Sequence, residues 1–484
     1  MINIIGLGPG APEALTLGSL RLLRSSKNNY LRTEKHPTID FLEEEGISFE
    51  TYDYAYDRFK SFDEVYEFIS EDIIKKYKEE GELVYAVPGH PLVAEKSVEL
   101  IIKKAEKEGI PVKVVPAVSF IDAVLEGLKV DPIQGLKIID AFDISNQIPD
   151  KRVGTVITQV YNHFIASEVK LRLLEFYKDE TEIYFVRAAG IEGEESIRLI
   201  KLYELDWQKD IDYLTSLYIP RDPENNKDFY SFVEIVEVLR GPGGCPWDRE
   251  QTHESLKKAL VEESYEVIEA IEEKNEDMLV EELGDLLLQI VFHSSLGKDE
   301  GYFTINDVIE GICNKMIYRH PHVFGETSAN TSEEVLENWE KLKKVEQGLK
   351  THTEALEHVA KSLPAIIRAE KVQKKAAKVG FDWDSVEEPL NKIFEEASEL
   401  KDVYKLQNKA KILDEMGDLL FAAINACRFL GVDGEEALNH TTDKFIRRFS
   451  YIEKKAMDLG LKLESMILKD MDVLWDEAKN LEKN

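Results

Sequence analysis

The pattern of apolar and polar positions changes character once along the chain, near residue 220. Before that point short apolar runs alternate with amphipathic stretches. Residues 2–7 are apolar apart from Asn3 and predict a strand, which ends in a turn built from Gly6, Gly8, Pro9 and Gly10. Residues 15–23 predict a helix, as do residues 66–77. Residues 83–87 are a continuous apolar strand that runs into Pro88-Gly89-His90-Pro91. Residues 93–107 predict a helix, and residues 112–115 a strand ending in Pro116-Ala117-Val118-Ser119. Strand, turn and helix repeated in this way predict a parallel or mixed sheet with covering helices. The turns after the strands lie at the carboxyl edge, where free N–H groups and helix N-termini bind ligands.

Residues 220–228 (PRDPENNKD) are polar and turn-rich and read as a linker. Beyond them the period is helical to the end, with heavy use of Glu, Lys, Leu and Ala. The expected organisation is a two-lobed α/β domain over 1–220, a linker over 221–228, and two helical repeats over 229–345 and 346–484. Residues 345–359, with Gly348 and two threonines, form the junction between the repeats.

The helical region carries a set of carboxylates at helical spacing. Glu262, Glu263 and Glu266 fall on one helix, and Glu282 and Asp285 on the next. Residues three or four apart share a helix face. Leu256, Leu260, Glu263 and Val267 make one stripe, so Glu263 occupies an apolar slot. Leu283, Leu286, Leu287 and Ile290 make the expected core face of the second helix, with Asp285 at its edge. Antiparallel packing of these helices would bring four acids together in a partly buried place. Such carboxylates repel one another and resist desolvation, and a hard divalent cation removes both problems.

The constellation then recurs 133 residues later, as Glu395, Glu396 and Glu399 followed by Glu415 and Asp418. Lys315 and Arg319 are matched by Lys444 and Arg448, and Trp339 and Lys343 by Trp475 and Lys479. One Lys-x-x-x-Arg is by default a solvated face, and one Trp is by default core; recurrence in the same order marks a duplicated unit. Four carboxylates suit magnesium, which organises phosphate oxygens and lowers the pKa of a bound water. Glu262 and Glu395 are the spare acids, available to accept a proton or complete a ligand shell. The paired cations suit an anionic ligand, and each Trp offers a face to a base. Metal-assisted hydrolysis of a nucleoside polyphosphate follows from these residue types. A P-loop GxxxxGK[ST] is absent from the sequence.

Composition narrows the partners. The 484 residues carry 61 basic and 94 acidic side chains, a net charge of -33, which disfavours nucleic acid or an anionic membrane as partner. Cys245, Cys313 and Cys427 are scattered and odd in number, which predicts free thiols and a cytoplasmic protein. The N-terminus reads as a strand rather than a signal peptide, and no apolar run reaches membrane-spanning length.

Two family resemblances add to this reading. GLGPGAPEALTLGSLRLL, YLRTEKHP, YAVPGHPLVAE and VVPAVSFIDAV together resemble the tetrapyrrole methylases and their diphthine synthase relatives, over roughly residues 1–215. That resemblance implies an S-adenosylmethionine cleft lined by Gly8, Pro9, Gly89, His90, Pro91, Pro116, Ala117 and Ser119, and a methyl acceptor that sequence does not name. The family commonly has an acid where His90 stands.

EExxE followed by ExxD, with CPWDREQTHESL, RHPHVFG, VGFDWD and EMGDLLFAAINACRFL, is similar to MazG-type nucleoside triphosphate pyrophosphohydrolases over residues 228–484. It implies an all-α dimer, magnesium, and cleavage of NTP to NMP and pyrophosphate. The implied metal ligands are Glu263, Glu266, Glu282 and Asp285, with Glu396, Glu399, Glu415 and Asp418. The implied nucleotide contacts are Lys444, Arg448, Trp475 and Lys479 with Asn425, and Lys315, Arg319, Trp339 and Lys343 in the first copy. Phe292 stands at the first-copy equivalent of Asn425, with Gln289 and His293 nearby. The fusion resembles bifunctional methylase–pyrophosphohydrolases. The alternative is a nucleotide-binding or regulatory protein whose methylase-like lobe only binds ligand.

Overall fold

The computed structural model describes residues 1–346, 348 and 351–482. The expected junction, residues 345–359, includes positions 347, 349 and 350, which lie outside the described residues. The chain forms two compact units, residues 1–304 and 305–484.

The first unit opens with a five-stranded parallel sheet in the order β3-β2-β4-β1-β5. These strands are β1 (Ile2–Gly6), β2 (Asn29–Leu31), β3 (Glu50–Thr51), β4 (Leu83–Val87) and β5 (Val112–Val114). Every residue of β1, β2 and β4 is buried, as expected of strands covered on both faces. Asn3 is tolerated there because its amide donates to Glu82 at 3.0 Å. Val65, Ile69 and Ile73 of helix Phe62–Glu80 and Val98 and Ile101 of helix Lys96–Glu108 seal one face. Each such side chain contributes roughly 2 kcal/mol by its removal from water.

A second sheet of order β6-β7-β10-β8-β9 follows, made by β6 (Leu136–Asp140), β7 (Gly154–Thr158), β8 (Glu182–Arg187), β9 (Ser196–Lys201) and β10 (Thr215–Ile219). It is mixed: β6 and β7 are parallel and the remaining pairs antiparallel. Val169 and Leu173 of helix His163–Leu174 pack with Ile157, Phe185 and Leu217 of this sheet.

The polar segment 221–228 is docked on this lobe. Asn225 is buried; its amide donates to the Phe176 carbonyl at 2.8 Å, and its own carbonyl accepts from the buried Lys151 ammonium. Lys227 adds bonds to the Leu174 and Tyr177 carbonyls. A buried ammonium needs acceptors, and a polar segment supplies them.

From Phe229–Arg240 onward the regular structure is helical. Two local expectations need correcting. The helix expected from residue 93 starts at Lys96, because His90 Nδ1 accepts the Leu92 N–H (3.1 Å) and Ala94 is left-handed (φ 55°), so residues 91–94 form turn and bend instead. The expected core face of the second acidic helix is also wet: Leu283, Leu287 and Ile290 are exposed. Two antiparallel helices bury little on their outer faces, and helical period alone does not say what covers them. The three cysteines are free, and among the described residues no helix is long and apolar enough to cross a membrane.

Candidate active sites

The first acidic hairpin is made by helix Lys257–Glu273 and helix Glu276–Asp299. Lys274 closes the first helix in the left-handed conformation (φ 54°), and Asn275 caps the second by accepting the Met278 N–H. Glu263 and Asp285 are eleven positions either side of Lys274, and Glu266 and Glu282 eight either side. A tight antiparallel turn therefore places each pair at the same height on facing helices. Carboxylate oxygens of Glu263, Glu266 and Glu282 lie within 4.8 Å of one another. Burial, then the charges of Asp285 and Glu266, push the Glu263 carboxyl up. Glu282 is pushed up by desolvation and then by Glu266.

The second hairpin repeats the device with helix Glu387–Val403 and helix Lys409–Leu430. Gln407 is left-handed (φ 52°) and Asn408 is the cap. Glu396 and Asp418 are eleven positions either side of Gln407, and Glu399 and Glu415 eight. Oxygens of Glu396, Glu415 and Asp418 lie within 4.8 Å of one another. Glu415 is pushed up by burial, by the charge of Glu399 and by a hydrogen bond with it. Three convergent carboxylate oxygens suit a hard divalent cation, whose charge removes the repulsion that, after burial, raises Glu263, Glu282 and Glu415.

The two clusters differ in one cation. Lys392 reaches Glu395 and Glu396, each at 2.7 Å, so a cluster carboxylate already holds an ammonium. The corresponding first-copy residue is Ala259. Glu262 is exposed and pairs with Lys258 at 3.2 Å. Glu262 and Glu395 lie outside the three-carboxylate clusters, and so do Asp285 and Glu399, so each cluster brings together three of the four expected ligands.

The second unit assembles the expected cations and tryptophans into two matching sets. Arg319 is buried, lies 5.1 Å from the Trp339 ring centroid and pairs with Glu346 at 2.6 Å. Arg448 lies 5.4 Å from the Trp475 ring centroid and pairs with Glu482 at 2.6 Å. Each Glu follows its Trp by seven positions, a recurrence visible in sequence that residue type alone had not singled out. Lys343 lies 4.9 Å from the Trp339 ring, and the charge of Lys444 acts on Glu482. Lys315 is half-buried and Lys479 exposed. Asn425 accepts from Arg428 at 3.0 Å, and Arg428 forks onto Asp382 of VGFDWD. In the first copy His293 stacks on His253 (centroids 5.0 Å apart, 3° between planes), with 2.7 Å between their Nδ1 atoms. Gln289 Oε1 and His293 Nε2 are buried without a hydrogen-bond partner among the described residues.

In the α/β domain the predicted loops meet at the carboxyl edge of the first sheet. Gly8 and Gly89 exchange backbone bonds (Gly89 N–H to Gly8 at 2.8 Å). A Cβ at Gly6 would stand 2.1 Å from the Gly89 carbonyl oxygen, 2.7 Å from Ala117 and 3.0 Å from Pro91, so this convergence needs glycine. The Pro116 carbonyl accepts from Thr16 at 3.1 Å. Ser119 caps helix Phe120–Leu128. Pro9 lies beside Gly190 of the second lobe, and Gly10 beside Ile191. His90 Nδ1 takes the acceptor role that a carboxylate oxygen could fill, which accounts for His at this turn.

Sequence reasoning missed His36 as an anchor. Its Nε2–H donates to the Gly8 carbonyl (3.1 Å), and burial lowers its pKa to about 4, so the ring is neutral. It also missed a part-buried pair, Arg32 and Glu95 (3.3 Å). Burial outweighs the arginine and lifts Glu95 to about 7. Arg32 also donates to Tyr56 at 3.1 Å. Both residues stand inside the quoted motifs YLRTEKHP and YAVPGHPLVAE, but nothing local signals that two distant side chains meet.

Comparison with known proteins agrees with this architecture. The tetrapyrrole (corrin/porphyrin) methylase family matches residues 1–206, and the MazG nucleotide pyrophosphohydrolase domain matches residues 251–324 and 384–452. YabN of Bacillus subtilis is 46% identical over 486 residues, covering 100% of this chain and 99% of its own length. The nucleoside triphosphate pyrophosphohydrolase/pyrophosphatase MazG of Thermotoga maritima is 45% identical over 52% of this chain and 95% of its own. The nucleoside triphosphate pyrophosphohydrolase of Escherichia coli is 42% identical over 52% of this chain and 96% of its own. Among solved structures, uroporphyrin-III-C-methyltransferase from Thermus thermophilus aligns with 46% of this chain and 94% of its own at 22% identity and a TM-score of 0.38. With the full-length match to YabN, the chain belongs to the family in which a tetrapyrrole-methylase domain precedes two MazG nucleotide pyrophosphohydrolase domains.

Proposed function

We propose that the helical part is a magnesium-dependent nucleoside triphosphate pyrophosphohydrolase, converting NTP and water to NMP and pyrophosphate. The observation that carries this reading is a three-carboxylate cluster on each hairpin, Glu263, Glu266 and Glu282 on the first and Glu396, Glu415 and Asp418 on the second, with oxygens within 4.8 Å of one another. The activity named for the Thermotoga maritima and Escherichia coli relatives supports it. Magnesium, when bound, supplies positive charge to phosphate oxygens and to an attacking water. Glu263, Glu266, Glu282 and Asp285 hold it in the first copy, and Glu396, Glu399, Glu415 and Asp418 in the second. Glu262 and Glu395, next to each cluster in sequence, take the proton of the attacking water. Lys315, Arg319, Lys343, Lys444, Arg448 and Lys479 hold the triphosphate, Trp339 and Trp475 face the base, and Asn425 assists in the second copy. Incubation of the whole protein with each NTP and magnesium tests the reading: NMP with pyrophosphate is expected, and orthophosphate release would overturn it.

The N-terminal domain, in the same proposal, binds S-adenosylmethionine and transfers its methyl group to an acceptor. Gly8, Pro9, Gly89, His90, Pro91, Pro116, Ala117 and Ser119 form the loops that hold the cofactor. The protein works as a cytoplasmic homodimer; exposed Leu283, Leu287 and Ile290 support a partner over the hairpin. A second reading, nucleotide binding without turnover, draws on the Lys392 pair with Glu396. Nucleotide bound tightly with no product formed would favour it.

A further inference from the structure

A cleft of about 800 Å³ runs between the lobes of the N-terminal domain. Its walls are two aromatic pairs, one from each lobe. Phe62 stacks on Tyr66 (6.2 Å, 19°), and Phe142 meets Tyr161 edge-on (5.6 Å). Phe62 and Phe142 are each more than half exposed, so apolar faces are left open toward the cleft.

The charge around these faces is acidic. Asp63, Glu99 and Asp140 line the cleft against two lysines, Lys96 and Lys103, and Glu95, also in the lining, is taken up by Arg32. Both lysines are already paired with Glu99. Arg32, part-buried beside the lining residue Glu95, is paired with it and bonded to Tyr56. Asp140 is different. It accepts the Phe142 N–H at 3.0 Å, and no ion pair engages it among the described residues. Asp143 is its nearest charged neighbour in influence, and burial with that like charge raises its carboxyl. An anion entering here would meet spoken-for cations and an uncompensated acid. A cation would meet a carboxylate and two aromatic faces, the combination that recognises organic ammonium groups.

We propose that this cleft binds an organic cation with a flat apolar body, of the aromatic-amine class, as the second ligand of the N-terminal domain. Asp140 takes the ammonium and the Phe62–Tyr66 and Phe142–Tyr161 pairs take the body. Calling this ligand the methyl acceptor rests on the methyltransferase reading above; the charge preference of the cleft does not. The acidic lining also separates this cleft from one built for a carboxylate-rich tetrapyrrole, which needs free cations.

The test uses the full-length protein and two probes of like shape and opposite charge, tryptamine and indole-3-propionate, measured by calorimetry with and without S-adenosylhomocysteine. Tryptamine is expected to bind about tenfold more tightly than the anion, a difference of about 1.4 kcal/mol. Asp140→Asn, which keeps the acceptor for Phe142, is expected to remove most of that preference and to leave the melting temperature unchanged. Tryptamine and S-adenosylhomocysteine are expected to bind together. Equal or tighter binding of the anion overturns the proposal, as does no tryptamine binding at all. Displacement of tryptamine by S-adenosylhomocysteine would make the cleft the cofactor pocket and also overturns it. Failure of S-adenosylhomocysteine to bind, with the tryptamine preference intact, sinks only the methyltransferase reading.

Discussion

Lys274 and Gln407 occupy the same left-handed position, at φ 54° and 52°, in two hairpins 133 residues apart. Each precedes an asparagine that caps the next helix. Because the acids are equidistant from these residues, the turn sets the register of both clusters. One residue inserted at either turn would rotate the following helix by about 100° and separate the carboxylates.

The clusters can be assigned by charge-neutral substitution. Glu415→Gln with Asp418→Asn, or Glu263→Gln with Glu282→Gln, removes ligands while relieving repulsion. We expect hydrolysis to fall more than about a hundredfold in whichever copy carries the activity. Melting without magnesium is expected to stay level or rise. Loss of the fold in both double variants would make the acids structural instead.

Lys392 pairs at 2.7 Å with Glu396, one of the carboxylates proposed above to hold the metal. Lys392→Met keeps the aliphatic stem and removes the ammonium. If the second copy is active, the magnesium concentration for half-maximal activity should fall about threefold, in keeping with a partly exposed ion pair worth under about 1 kcal/mol. A raised magnesium requirement would instead make Lys392 a group that helps assemble the site.

Gly284 and Gly417 sit in the middle of the second helix of each hairpin, and a Cβ at either would meet nothing within 4 Å. Glycine there costs its helix about 1 kcal/mol relative to alanine. Alanine variants should therefore melt higher. If they also lose hydrolysis or dimerisation, a nucleotide or a second copy approaches the backbone at this point; unchanged activity and assembly would show that nothing does.

Glu95 gives a pH dependence of defined sign. Its carboxyl is raised from 4.5 to about 7 by burial, against the pull of Arg32. The folded state thus holds this proton more tightly than the unfolded chain. The stability gained is complete below 4.5 and is lost as the pH rises through about 7. The loss is of the order of 1–3 kcal/mol. Glu95→Gln stays neutral throughout, so its stability should be level over that interval where the wild type declines. Parallel slopes in a denaturant titration series would refute the assignment.

Much of this protein follows from its sequence alone. Apolar runs of five residues ending in glycine and proline specify buried parallel strands, because only a doubly covered strand can be apolar at successive positions. Acid spacings of three specify shared helix faces, and the 133-residue offset specifies duplication. These are local or periodic properties, and the chain expresses them directly. What only the tertiary structure decided involves partners far apart in sequence. Arg32 meets Glu95, His36 holds Gly8, Arg448 meets Glu482, and Arg428 meets Asp382. Periodicity also placed Leu283 and Ile290 on an apolar face, yet that face is exposed. A helical period records which side chains share a face; which faces find a cover, and which charges find a partner, is settled when distant segments pack.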